Sequence, residues 1–116
     1  MRLRLDPTQL LVRVSVAGRS MEPALKPGDR LVVLRRRKVR AGDVVAVSDP
    51  RQPQRILVKR VTEVDGDRVT VVGDNRREST DSRHFGPVQR RSVTGVVVYR
   101  YHPRPEWFPG RRRRIG

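Results

Sequence analysis

Apolar side chains come in short runs along this chain, most of them alternating with polar ones, and polar clusters separate the runs. Residues 10–16 (LLVRVSV) alternate after their first two leucines, as a strand with one wet face does. Residues 30–34, 43–47, 56–64, 68–72 and 92–101 are further strand candidates, rich in valine, whose branched Cβ suits a pleated surface. Turn chemistry separates them at Lys26-Pro27-Gly28-Asp29, Ala41-Gly42-Asp43, Asp49-Pro50 and Asp65-Gly66-Asp67. The Asp65-Gly66 step between two alternating runs predicts a β-hairpin. Residues 49–54 (DPRQPQ) read as an exposed loop. No stretch sustains a 3.6-residue period, and residues 21–25 have room for one helical turn. The pattern predicts an all-β fold, a small barrel or sandwich of about six strands with little helix.

At 116 residues the chain suits one domain with one modest core. That domain is expected over residues 1–102. Residues 103–116 read as a basic tail, disordered at its end, with three prolines and four consecutive arginines at 111–114. The longest aliphatic runs, at 31–34, 44–47 and 96–98, fall far short of the 20 or so apolar residues of a membrane span. The first residues lack the three-part pattern of a secretory signal. The expectation is a soluble, cytoplasmic protein with no membrane span. The absence of cysteine excludes disulfides and thiolate chemistry. Two histidines eighteen residues apart make no metal site, and no cofactor is expected.

Charge changes the picture more. Twenty-seven basic and twelve acidic residues give +15, and residues 35–40 with the tail supply nine of those charges. No recognition helix, zinc spacing or aromatic platform accompanies them, so nucleic acid is not the expected partner. The charge reads as solvated surface, with the basic tail the place for an acidic partner to dock. Of the basic residues, 24 are arginine, and lysine stands only at Lys26, Lys38 and Lys59. Where a positive charge alone suffices, this chain uses arginine. Lysine differs in being able to lose its proton.

Three segments carry candidate chemistry. In Gly18-Arg19-Ser20-Met21-Glu22-Pro23, a serine follows a strand directly, with glycine two before it and proline three after. A sharp turn there projects a hydroxyl and frees backbone N–H groups, the two requirements of acyl transfer. In Ile56-Leu57-Val58-Lys59-Arg60-Val61, the strand period points Lys59 the same way as Leu57 and Val61. Periodicity leaves open whether that face is core or solvent. If it is core, desolvation draws the lysine toward neutrality, where a general base works best. The third segment, Gly73-Asp74-Asn75 through Ser79-Thr80-Asp81-Ser82-Arg83-His84-Phe85-Gly86-Pro87-Val88, is dense in polar groups able to orient a lysine and brace a loop.

Together the three resemble the conserved boxes of the bacterial type I signal peptidase family, in the family's order and over most of residues 14–88. LexA-like self-cleaving proteins share the serine and lysine boxes but lack the third. The resemblance implies a small signal-peptidase or LexA-like β fold and a serine endopeptidase with a Ser/Lys dyad. Ser20 would be the nucleophile, with its own N–H in the oxyanion hole, and Lys59 the general base. Ser79 would orient the lysine, and Asp81 and Arg83 would brace the loop. Val16, Ala17, Met21, Leu25, Leu57 and Val58 match positions lining pockets for small substrate residues. The protein substrate would lie as an extended strand between the strand before Ser20 and the one carrying Lys59.

Departures from the family pattern sharpen the expectation. Gly18 stands where many relatives carry a serine that donates to the oxyanion, so one donor is unassigned. No membrane anchor is visible, and Gly73 lies only fourteen positions after Lys59, which excludes a large inserted domain. A short, arginine-rich form of this kind looks like the nickel-type superoxide dismutase maturation proteases, which remove an N-terminal propeptide. Two other readings have different consequences: a leader peptidase acting on secretory precursors, and a non-catalytic basic β domain binding nucleic acid or an acidic protein. A Ser20–His84–Asp81 triad can also be drawn.

Overall fold

A computed structural model describes residues 10–35 and 38–108 of the chain. Its strands are β1 (Leu11–Ser15), β2 (Arg30–Leu34), β3 (Val44–Asp49), β4 (Gln52–Asp65), β5 (Arg68–Val72), β6 (Val88–Gln89), β7 (Val93–His102) and β8 (Glu106–Trp107). One short helix, α1 (Ser82–Phe85), precedes β6. The six predicted strands are all present, and the additions are two-residue strands at β6 and β8. Every pairing is antiparallel within one sheet, in the order β1-β2-β7-β3-β4-β5-β6, with β8 on β7.

The valine-rich run of β3 explains how one sheet makes two cores. Val44-Val45-Ala46-Val47 does not alternate because both faces of the strand are covered. Val44 and Ala46 join Val12, Val14, Leu31 and Val33 in one cluster; Val45 and Val47 join Val61, Val69, Val71 and Val96 in the other. The outermost strand, β1, alternates strictly, burying Val12 and Val14 and exposing Leu11, Arg13 and Ser15. Residues 21–25 do not form the helical turn expected: they make a non-helical turn that contains a cis Glu22–Pro23 peptide bond and is closed by Leu25 N–H donating to the Met21 carbonyl at 2.9 Å.

Residues 49–54 are not a loop. Asp49 and Gln52 pair across a two-residue turn, and β4 begins at Gln52. The Asp49 carboxylate is 1% exposed and accepts from the Arg51 N–H and, at 3.0 and 2.8 Å, from its guanidinium. Pro53 reads as a breaker in sequence, yet it stands where the ladder to β3 is interrupted and no N–H is required.

The segment read as tail begins with structure. Glu106 and Trp107 pair with Arg100 and Tyr99, and Phe108 packs on the first cluster. Arg100 ties this end to the rest, donating to the Ala24 carbonyl and Asp29 carboxylate, each at 3.2 Å, and to Glu106. Residues 109–116, with the arginine run at 111–114, lie outside the described residues, as do residues 1–9, 36 and 37.

Backbones approach closely at Gly95 on β7, opposite Ala46. A Cβ there would stand 2.6 Å from the Leu34 carbonyl oxygen and 2.8 Å from Val33 Cγ1. Val33 is fully buried and cannot withdraw. Gly95→Ala is expected to destabilise the fold by about 2 kcal/mol, read as a lower urea midpoint at unchanged slope. An unchanged midpoint would show that β2 and β7 part without cost.

Candidate active site

Ser20 sits in a loop whose ends are clamped together. Val16 N–H donates to the Asp29 carbonyl and Gly28 N–H to the Val16 carbonyl, each at 2.9 Å, so the chain returns to where it left β1. Met21 and Leu25 plug the first core cluster from this loop and hold it against the sheet. The third segment grips its other side. Asn75 N–H donates to the Ser20 carbonyl at 2.7 Å, and Asn75 Nδ2 to the Arg19 carbonyl at 3.1 Å. With its carbonyl held from behind, Ser20 is left half-buried, and among the described residues no hydrogen bond uses its N–H.

Gly73 permits this contact. A Cβ at Gly73 would fall 2.3 Å from Ser79 Oγ and 2.6 Å from the Ser20 carbonyl oxygen. Any side chain there would force apart the serine turn and the segment carrying Ser79. At Gly18 the opposite holds, since a Cβ would meet nothing within 4 Å.

Lys59 is 3% exposed, which decides the question periodicity left open: its face of β4 is the core face, shared with Val61 of the second cluster. Its Nζ donates to Ser79 Oγ at 3.0 Å, and Ser79 Oγ donates to Asp81 Oδ2 at 2.6 Å. Asp81 is fully buried and also accepts from Gly73 N–H at 2.8 Å, from Arg83 N–H, and from both Arg83 Nε and Nη2 at 2.9 and 2.8 Å. Burial by itself would raise this carboxyl. The hydrogen bonds from Arg83, Ser79 and the two backbone N–H groups outweigh it and hold Asp81 well below the usual carboxylate range. For Lys59, burial is the main influence and pushes its pKa down; the Asp81 charge opposes this, and Arg51, Arg55 and Arg83 push it further down. Ser79 therefore stands between a lysine inclined to lose its proton and a carboxylate that keeps its charge.

Ser20 and Lys59 line the same cleft, of about 280 Å³. Val16, Ala17, Gly18, Met21, Leu57 and Val58 line it too. Leu25 does not: it is fully buried in the first core cluster, because the turn closed between Met21 and Leu25 points it inward. Sequence reasoning did not single out Arg51, Arg55, Ile56, Glu78 and Thr80, which also face the cleft. Nor did it find the paired hydrogen bonds from Arg60 to Asp74 at 3.1 and 2.7 Å, which tie the strand carrying Lys59 to the turn behind Ser20. His84 is absent from the cleft lining, and its Nδ1 accepts the Asp81 N–H at 3.3 Å as part of the cap of α1. The drawn Ser20–His84–Asp81 triad is thus not assembled. Among the described residues no group of His, Asp and Glu is placed to hold a metal ion.

The flanking strands leave room for a peptide. On β4, residues 56–59 pair with β3 on one side, and β5 pairs only from Arg60 onward. Among the described residues β1 ends the sheet and pairs on its β2 side alone. Two edges unpaired among the described residues thus border the cleft that holds Ser20 and Lys59.

Comparison with known proteins gives the family. The chain matches the family described as "Signal peptidase, peptidase S26" over residues 7–72 and 69–102. It is 35% identical to the mitochondrial ATP-independent inner membrane protease subunit 1a of Arabidopsis thaliana, covering 91% of this chain and 79% of that one. Identity is 30% both to mitochondrial inner membrane protease subunit 2 of Mus musculus (89% and 73% of the two chains) and to subunit 1 of Schizosaccharomyces pombe (79% and 74%). These relatives are named as inner membrane proteases, not as the nickel-type superoxide dismutase maturation proteases expected from the sequence. Among the described residues no helix is long and apolar enough to cross a membrane. A match that runs from residue 7 to residue 102, with identities of this size over most of both chains, shows that the protein belongs to the signal peptidase family, peptidase S26.

Proposed function

We propose that the protein is a serine endopeptidase that removes an N-terminal segment from a precursor protein, with Ser20 as nucleophile and Lys59 as general base. The observation that carries this reading is the state of Lys59. It is a buried lysine with a lowered pKa, its Nζ hydrogen-bonded among the described residues to Ser79 alone, and it opens onto the cleft that Ser20 lines. A structural lysine in this arginine-rich chain has no need of such a place.

The substrate strand adds its backbone to the free edges of β1 and β4, with small side chains entering between Val16, Ala17, Leu57 and Val58. Ser20 Oγ attacks the carbonyl carbon of the scissile bond while its proton passes to Lys59 Nζ. The oxyanion that forms is met by the unused Ser20 N–H. Collapse breaks the C–N bond, and Lys59 returns the proton to the leaving amine. Water then attacks the acyl-enzyme by the same route. Lys59 Nζ is held by Ser79 on the wall of the cleft it shares with Ser20, and its hydrogen bond to Ser20 forms when substrate displaces water. Gly18 offers no side-chain donor, so the hole is served by backbone amide alone. A missing donor of this kind costs about 3 kcal/mol in the barrier.

The substrate panel for a test should include a nickel-type superoxide dismutase precursor, the substrate read from the sequence, and a secretory precursor. Co-expression with wild type is expected to yield a shortened precursor N-terminus by mass spectrometry, and Ser20→Ala or Lys59→Arg to leave it intact. Arginine keeps its proton at every accessible pH. Normal cutting by Lys59→Arg would therefore refute the dyad.

Activity is expected to follow the unprotonated lysine, rising with pH as Lys59 loses its proton. Arg83 is one of the charges holding that pKa down. Arg83→Gln should therefore move the rising limb of kcat/KM to higher pH while the plateau remains reachable. The linked stability has a definite sign. The folded chain holds the Lys59 proton less tightly than the unfolded one, so stability rises with pH between the lowered value and about 10.4. Lys59→Met should remove that rise. A limb that stays in place in Arg83→Gln would show that its charge does not reach the base.

A tenfold or greater loss of kcat at modest loss of stability is expected for Gly73→Ala, because the Cβ displaces Ser20 and Ser79 together. Unchanged kcat would mean the two can separate without harm.

A further inference from the structure

Four arginines come near the reacting groups, and three of them are occupied. Arg19 is bonded to Glu22 at 3.0 Å, Arg51 to Asp49 at 2.8 Å, and Arg83 to Asp81 at 2.8 Å. Arg55 lines the cleft, is exposed, and has no ion pair or hydrogen bond among the described residues. Its backbone setting is unusual. The β3–β4 register slips between Ser48, opposite Ile56, and Asp49, opposite Gln52, so residues 53–55 bulge out of the ladder. A bulge of this kind re-aims a side chain, and such bulges gather beside active sites. Arg55 is four residues before Lys59, about 13 Å of extended strand. The cleft's own carboxylate, Glu78, lies near enough to Arg19 to favour its charge, which places it at the serine loop.

We propose that Arg55 is a specificity residue that reads an acidic side chain of the substrate, about four residues from the scissile bond, in the arm lying along β1 and β4. This rests on the endopeptidase reading above. A strand added to the free edge of residues 56–59 runs past the bulge, where every second side chain of the substrate meets the face that carries Arg55. An aspartate or glutamate there finds a guanidinium that, among the described residues, has made no hydrogen bond, whereas a lysine is repelled by the Arg55 charge, near which the Asp49 carboxylate is already bonded to Arg51. That arm is assigned to the segment before the cut, whose carbonyl Ser20 holds until water releases it as the leader.

Internally quenched peptides with alanines beside the cut, and Asp, Asn or Lys placed in turn two to six residues before it, test this directly. Wild type is expected to prefer Asp over Lys by roughly tenfold in kcat/KM at one position three to five residues before the cut, a ratio that shrinks as salt rises. In Arg55→Glu the ratio should invert, and in Arg55→Gln it should fall to near one. Because each ratio compares two peptides on one preparation, partial unfolding or a displaced Lys59 cancels. A ratio in Arg55→Glu equal to that of wild type overturns the proposal. So does Ser20-dependent cutting with no acidic preference at any position, which leaves the endopeptidase reading intact. Failure to cut any of the peptides overturns both.

Discussion

Asp81 is a fully buried carboxylate that accepts five hydrogen bonds, and the site is assembled around that group. A buried anion is costly unless each lone pair is met. Meeting them recruits a hydroxyl from Ser79, a backbone N–H from Gly73 at the end of β5, and the backbone and guanidinium of Arg83. Each recruit then has a second task. The Gly73 turn leads into Asn75, which holds the serine loop. Ser79 receives the lysine. The Arg83 N–H starts α1, whose Ser82 Oγ accepts the Val71 N–H at 2.9 Å. Removing the carboxylate would therefore release the strand end, the helix and the lysine's partner at once.

Lysine burial has a different origin. It follows from one sheet having cores on both faces. β4 turns Val58 toward one cluster and Leu57, Lys59 and Val61 toward the other. Because β3 is covered on both sides, its neighbour β4 has no wet face near Lys59 on which the ammonium could lie. Desolvation is thus a property of the two-core arrangement, and Ser79 supplies the direct hydrogen bond that relieves it, with the Asp81 charge behind. That relief is modest by design: a hydroxyl accepts a hydrogen bond from either charge state of the lysine, whereas a carboxylate in direct contact would lock the proton on. Arg83 extends the same logic by keeping the Asp81 charge paired.

The sequence was most legible where local chemistry decides the outcome. Every predicted strand formed, and Val44 to Val47 announced their two-sided burial by failing to alternate. The grouping of Ser20, Lys59 and Ser79 was legible because three short patterns coincide. What was hidden depended on long-range pairing. Leu25 looked like a cleft residue by position in its box, but a hydrogen bond back to Met21 turns it into the core. Residues 49–54 looked like a loop because two prolines imply interruption; only the burial of Asp49 and its grip on Arg51 show a tight hairpin. Asn75 holding the Ser20 carbonyl, 55 residues away in sequence, and Arg60 holding Asp74 have no signature in periodicity at all.

The abundance of arginine, which first drew attention to the lysine, has a physical counterpart at the site. Arg51, Arg55 and Arg83 all act on Lys59 in one direction, against protonation. A guanidinium does not titrate in any range the protein experiences, so these charges form a constant background while Lys59 gains and loses its proton. Lysines in their place would titrate close to the range of an ordinary ammonium, and their influence would fade as pH rose. A surplus of arginine around one buried lysine therefore does more than add charge. It fixes the potential against which a single group titrates, and it makes Lys59 the one cation of the cleft able to act as a base.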